Sequence, residues 1–145
     1  MACPIGINPL TWTNDDMPEL GSETPLETCL SEAKLAGYDG VELGNKFPRE
    51  ASKLAPIMKK HGLKIASGWY SSNLLERDPD AEMAAMAPHL DLLLAMGCTA
   101  MVYAETTGCV HGNKAAKLGQ RRRVSDAEMR LLGERMTEVG KRIEA

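Results

Sequence analysis

The chain has 145 residues, of which 43% are apolar and 26% charged, the profile of one folded domain (residues 1–145) and not of a disordered chain. Seventeen Lys and Arg against twenty Asp and Glu leave a net charge of −3, which argues against a global basic field for nucleic acid. The charge is uneven. Residues 1–113 hold eight basic and fifteen acidic side chains, residues 114–145 nine and five, and the Arg121-Arg122-Arg123 run reads as a solvated surface.

Four strand patterns alternate with four helical ones. Ile5-Gly6-Ile7-Asn8 is the first expected strand. Thr24-Pro25-Leu26-Glu27 reads as a helix start, with Thr24 capping, Pro25 at the first helical position and Glu27 returning to the cap. Leu26, Leu30 and Ala33 share one face before Gly37. Gly40 to Leu43 is the second strand. The next helix is expected from Ser52 to His61, with Ser52 as cap and Pro56 in the tolerant first turn. Leu63 to Gly68 forms the third strand.

Asp78-Pro79 opens the third helix, which carries Pro88 in its interior, predicting a kink, and ends at Gly97. Thr99 to Tyr103 is the fourth strand. A loop from Glu105 to Val124 follows, then a second capping box, Ser125-Asp126-Ala127-Glu128. Met129, Leu132, Met136, Val139 and Ile143 repeat at helical spacing, a seam expected to cover the sheet.

This alternation predicts right-handed βαβ units and a parallel sheet. Four units of about 36 residues match the roughly 31 per unit of an eight-unit barrel. The fold class expected is therefore α/β, half of a (β/α)8 barrel. A doubly wound sheet would need a fifth strand. The outer strands of such a half would leave unpaired edges, which predicts self-association or a complementary half.

Five of six aromatic residues fall at or beyond the expected strand C-termini: Trp12, Phe47, Trp69, Tyr70 and Tyr103. That end carries the ligand site in parallel α/β folds, so pocket lining is expected over simple plugging. Polar residues gather there too, namely Asn8, Glu42, Asn45, Lys46, Ser71, Ser72, Asn73, Glu105 and Thr106. Glu42 alternates with Val41 and Leu43 and must be partnered; pairing with Lys46 is the plainest option, beside ligand contact or loop capping. Lys46 is positioned in sequence to polarise a ketone oxygen. His61 reads as a helix-end dipole partner and His89 as structural or exposed. His111 alone among the histidines is placed to reach the strand ends. No HExxH and no GxSxG occurs.

Ile5 to Asp16 resembles the opening of inosose dehydratases, a branch of the xylose-isomerase-like sugar isomerase and epimerase barrels. Gly37 to Pro48 resembles their second-strand block. Ser67-Gly68-Trp69-Tyr70-Ser71, Tyr103-Ala104-Glu105 and His111-Gly112 are similar to later strand ends and the loop beyond. The resemblance implies the N-terminal half of such a barrel and a hydro-lyase that converts scyllo-inosose (2-keto-myo-inositol) to a trihydroxycyclohexane dione. It implies a divalent ion, manganese or cobalt, whose ligands lie on later strands; none is expected on this chain alone.

Asn8, Trp12, Glu42, Asn45, Lys46, Trp69, Tyr103, Glu105 and His111 are then the expected substrate-facing residues. Expected partners are the cyclic keto-polyol and either a second copy or a C-terminal half-barrel, with neither nucleic acid nor membrane. Two function classes follow: a dehydratase half, truncated or separate and inactive alone, or a non-catalytic sugar-binding homodimer. Kinship to apurinic endonucleases of the same superfamily fits the negative charge poorly. Met1-Ala2-Cys3-Pro4 lacks the pattern of a secretion signal, Leu90 to Ala104 is too short and interrupted to span a bilayer, and four scattered cysteines suit a reducing cytoplasm.

Overall fold

A computed structural model describes residues 3–144; Met1 and Ala2, on which part of the reading of the chain start rests, lie outside the described residues, as does Ala145. The strands are β1 (Gly6–Ile7), β2 (Gly40–Leu43), β3 (Lys64–Ser72) and β4 (Met101–Glu105). The helices are α1 (Leu26–Leu35), α2 (Ala51–His61), α3 (Pro79–Ala95) and α4 (Asp126–Glu144), with short 3-10 turns at Pro9–Thr11 and Leu118–Gln120. The four parallel strands lie in the order β1-β2-β3-β4, the topology of half a (β/α)8 barrel. No helix among the described residues is long and apolar enough to cross a membrane.

The chain packs as two compact units interleaved in sequence, Met1–Tyr70 with Pro88–Val102, and Ser71–Ala87 with Tyr103–Ala145. Within α3 the division falls at Pro88, where the ring removes the backbone donor that would bond the carbonyl of Ala84.

In the first unit, Asp39 ties three strand starts together. Its carboxylate accepts the Ile5 N–H at 2.9 Å, its own N–H donates to the Ile5 carbonyl, and its carbonyl accepts from Lys64. β1 pairs Gly6 with Gly40, and β2 pairs Val41 with Ile65 but Glu42 with Ser67, so Ala66 is the extra residue of a bulge. A Cβ on Gly6 would stand 2.9 Å from the Ala66 Cβ, and one on Gly40 would stand 2.9 Å from the Lys64 carbonyl oxygen. The two glycines clear the space that the bulge fills. Around the sheet, Leu30, Ala33, Val41, Leu43, Leu54, Met58, Ile65, Leu92 and Leu93 form the core. Phe47 also belongs to this core, where a pocket-lining ring had been expected.

The helix starts depart from expectation twice. Thr24 does not cap α1: Pro25 takes the cap position with extended backbone and no side-chain cap bond. Glu27 instead reaches α2, with Lys60 Nζ at 2.6 Å and His61 Nε2 at 3.0 Å. α2 begins at Ala51 after Glu50, not from a Ser52 cap, and Pro56 lies in its second turn. The Asp78-Pro79 start holds, since Asp78 Oδ1 accepts the Ala81 N–H at 2.8 Å.

In the second unit, the Ser125–Glu128 capping box forms as expected: the Ser125 N–H donates to Glu128 at 2.8 Å, and the Glu128 N–H donates to Ser125 Oγ at 3.3 Å. The seam of α4 is covered only in part. Leu132 and Val139 are buried, but Met129 and Met136 are 55% and 41% exposed. Arg135 and Arg142 supply the helix's other anchors: Arg135 Nη1 donates to the carbonyls of Leu74 and Arg77 at 2.8 Å, and Arg142 pairs with Asp80.

Leu54 is 0% exposed and Leu35 88%. Leu54→Ala is expected to lower stability by about 3 kcal/mol through the cavity it leaves, and Leu35→Ala by no more than about 0.5 kcal/mol. Urea denaturation midpoints of the two variants check this ordering.

Candidate functional site

At the C-terminal end of β2, in the first unit, Glu42 is held at both oxygens. Oε1 accepts from Asn8 Nδ2 at 2.5 Å and Oε2 from Ser67 Oγ at 2.6 Å. Asn8 is fixed in turn as cap of the first 3-10 turn, its Oδ1 accepting the Leu10 N–H at 2.8 Å. The Ala66 bulge is what brings Ser67, two residues past the partner of Val41, opposite Glu42. The expected Glu42–Lys46 pair is therefore replaced by two neutral donors, which satisfy a half-buried carboxylate without a counter-ion.

Lys46 has a different task. Its ammonium donates to the carbonyls of Gly21 and Ser22, both at 2.9 Å, and of Thr24 at 2.5 Å. Those three bonds use all three of its protons, so the ketone-polarising role is not supported; Lys46 fastens the segment that leads into α1. The backbone N–H of Asn45 donates to Asp15 at 3.2 Å. Trp12 packs on the core, and its indole N–H donates to Glu32 at 2.5 Å. Trp69 lies inside β3, not beyond it, and is 52% exposed.

His89 packs against the same strand: a Cβ on Gly68 would stand 3.0 Å from its ring. It also meets the Tyr70 ring at a centroid distance of 5.9 Å, and its Nε2 has no hydrogen-bond partner. Burial, and then the Arg49 charge, push its pKa down, so the imidazole is held neutral. The expectation of a structural or exposed histidine is met in its first form.

In the second unit a polar cluster forms around Ser72, which is fully buried. Ser72 Oγ lies 2.7 Å from the Tyr103 hydroxyl and 3.1 Å from Glu105 Oε2, and accepts the Leu74 N–H. Glu105 takes further N–H donors from Leu74 at 2.7 Å and Thr107 at 2.9 Å. Burial pushes the Glu105 carboxyl up, but donors from Thr107, Leu74 and Ser72 outweigh it and hold the pKa below the ordinary value. Burial, with the charges of Glu82 and Glu105, raises the Tyr103 phenol above its ordinary value in spite of the Ser72 bond. Glu82, in the first turn of α3, is 0% exposed and meets Arg77 at 3.3 Å.

His111 stands on the exposed loop after β4 with Nδ1 2.9 Å from Cys109 Sγ, and His111 lowers the Cys109 thiol pKa.

The structure thus joins Asn8 with Glu42 in one unit and Tyr103 with Glu105 in the other. It gives Trp12, Asn45, Lys46 and His111 separate partners. Ser67, Ser72, Thr107 and Glu82 complete the two clusters and were not among the expected site residues. Ser72 had at least a sequence signal, its place in the polar run after the third strand. Among the described residues no three His, Cys, Asp or Glu side chains gather to hold an ion. Both strand-end carboxylates already spend their oxygens on hydrogen bonds, so the residues present do not fit the divalent ion that the resemblance implies.

Two variants test these assignments by urea denaturation. Lys46→Met is expected to cost about 2 kcal/mol because three carbonyls lose a charged donor; an unchanged midpoint would return the ammonium to ligand duty. The depressed Glu105 pKa stabilises the fold above the unfolded carboxyl value, roughly pH 4.3, and that contribution disappears as pH falls through the folded value. Glu105→Gln should accordingly flatten the acid limb of stability below that pH and leave the wild-type slope only at other groups.

No family model matches the chain. Among curated proteins, the rhizopine catabolism protein MocC of Rhizobium meliloti is 46% identical over 99% of this chain and 44% of its own length. An inosose dehydratase of Geobacillus thermodenitrificans is 38% identical over 94% of the chain and 46% of its own length. That of Lacticaseibacillus casei is 44% identical over 77% and 38%. The chain spans a little under half the length of the curated relatives it matches. It belongs, over that span, to the family of the inosose dehydratases and MocC.

Proposed function

We propose that this chain is the substrate-facing half of a dehydratase in inositol-type catabolism, one domain of residues 1–145 acting on scyllo-inosose. The observation that carries the reading is the similarity to inosose dehydratases across 94% of the chain. The carboxylate cluster at the end of β2 supports it, because loss of water beside a ketone needs groups that take up and deliver protons. Asn8, Glu42 and Ser67 offer an amide, a carboxylate and a hydroxyl suited to hydroxyls of a cyclic polyol. Trp69, half exposed on β3, offers a flat face to its C–H groups. The second unit, taken by itself, carries in Glu105 and Tyr103 a carboxylate kept ionised and a phenol kept protonated.

A divalent ion, when bound, would stabilise the charge that develops on the ketone oxygen; we assign its ligands to residues outside these 145. The partner is then a complementary C-terminal half-barrel. The four cysteines, all free thiols, support a reducing cytoplasm as its location.

A second reading, a non-catalytic homodimer, is favoured by one observation, the exposed Met129, Leu131 and Met136 on α4. The two readings part in one experiment. The purified chain is mixed with the separately produced remainder of the Geobacillus relative, manganese is added, and loss of scyllo-inosose is followed. Turnover in the mixture, and none with either part alone, is the expected result. Turnover by the chain alone, or none in a mixture that demonstrably associates, would contradict the proposal.

A further inference from the structure

We propose that Cys109 and His111 form a reactive thiol–imidazole pair on the loop after β4, a modification site that takes a small anionic disulfide by thiol–disulfide exchange. The pair lies in the second unit and does not rest on the dehydratase reading. His111 Nδ1 stands 2.9 Å from Cys109 Sγ, within reach of the thiol proton, and both residues are exposed. Among the described residues no three His, Cys, Asp or Glu side chains gather to hold an ion, so the two are read as nucleophile and base.

Consecutive turns hold the two side chains together. The Cys109 N–H closes one turn on the Thr106 carbonyl at 2.9 Å, with Gly108 inside it at a φ of 67°. The Asn113 N–H closes the next on the Val110 carbonyl, also at 2.9 Å. Thr106 is fastened in its turn, donating through its N–H and its Oγ1 to the Ser72 carbonyl at 2.8 and 2.9 Å. Arg122 lays its stem over the first turn, where a Cβ on Gly108 would stand 2.9 Å from its Cδ, and sends its guanidinium to Glu128.

The other three thiols provide the contrast. Cys29 and Cys98 are buried, and burial raises the Cys29 pKa. Cys3 is exposed like Cys109, but its Sγ meets the Pro4 carbonyl at 3.7 Å, an oxygen too weakly basic to take its proton. At Cys109 the base is in place, and His111, through its backbone first and its ring second, holds the thiol below its ordinary pKa. The surrounding charge selects the reagent. Residues 106–125 hold five Lys and Arg and no Asp or Glu, a field that favours a disulfide bearing carboxylates.

The exchange balances with the disulfide as oxidant. The thiol proton passes to His111 Nδ1, and the Cys109 thiolate attacks one sulfur of the disulfide. A new sulfur–sulfur bond forms at Cys109 as the old one breaks, and the departing thiolate takes the proton from His111. Cys109 is oxidised, the leaving sulfur is reduced, and one thiol is released for the one consumed.

The test exposes the reduced chain to oxidised glutathione, which is anionic, or to cystamine, which is cationic, and maps adducts by peptide mass spectrometry. At neutral pH, Cys109 is expected to react at least about tenfold faster than Cys3, with Cys29 and Cys98 untouched. The Cys109 to Cys3 ratio is expected to be larger with oxidised glutathione. His111→Gln, checked for folding by circular dichroism, is expected to slow Cys109 by about tenfold at neutral pH and to converge on wild type near about pH 10, where an exposed thiol is ionised without help. Cys3 reacting as fast as Cys109, or a folded His111→Gln chain reacting at the wild-type rate at neutral pH, overturns the pair. A deficit that persists at the alkaline end overturns the role of His111 as base, and an equal or larger ratio with cystamine overturns the choice of an anionic reagent.

Discussion

A carboxylate that leaves water must be met by donors, and this requirement organises each of the two carboxylate clusters. Glu42 and Glu105 each sit at the C-terminal end of a short parallel strand, half out of solvent. Neither is met by a lysine or arginine. Glu42 is held by an amide and a hydroxyl, Glu105 by a hydroxyl and two backbone N–H groups. At Glu105 the neutral donors outweigh burial and hold the carboxyl below its ordinary pKa.

The local architecture serves that arrangement. A regular β2–β3 ladder would set Ala66 opposite Glu42. The bulge at Ala66 substitutes Ser67, and Gly6 and Gly40 give the displaced alanine its room. Lys46 closes the segment before α1 by binding three carbonyls, work that a ligand-binding lysine could not do at the same time. On the other unit, the long β3 carries Ser72 to its last position, where it bridges Tyr103 and Glu105.

The order and type of the elements were legible because α1, α2 and α4 carry helical apolar spacing, α3 is a long apolar run behind a cap, and each strand is a short apolar run. The start of α3 at Pro79 and the Ser125–Glu128 box were legible because caps are local chemistry. Strand ends were not. Trp69 to Ser72 are expected just past the third strand, yet they extend β3, and the fourth strand lies two residues later than its apolar run suggests. Asn8 and Glu105 were legible by their position beyond strands, Tyr103 by its place at a strand end, and Glu42 by its alternation with Val41 and Leu43 within one. Glu82 was not, because an acid in the first turn of a helix is ordinary and only tertiary packing buries it. The partners of Lys46 lie 22 to 25 residues away in sequence, beyond any spacing rule.

The central claim is that the strand-end cluster of the first unit, Asn8, Glu42 and Ser67, faces a cyclic keto-polyol. Amide chemical-shift mapping with scyllo-inosose measures this most directly. The account predicts shifts concentrated at Asn8, Glu42 and Ser67, which form that cluster. Shifts confined to α4, or none at saturating ligand, would contradict it.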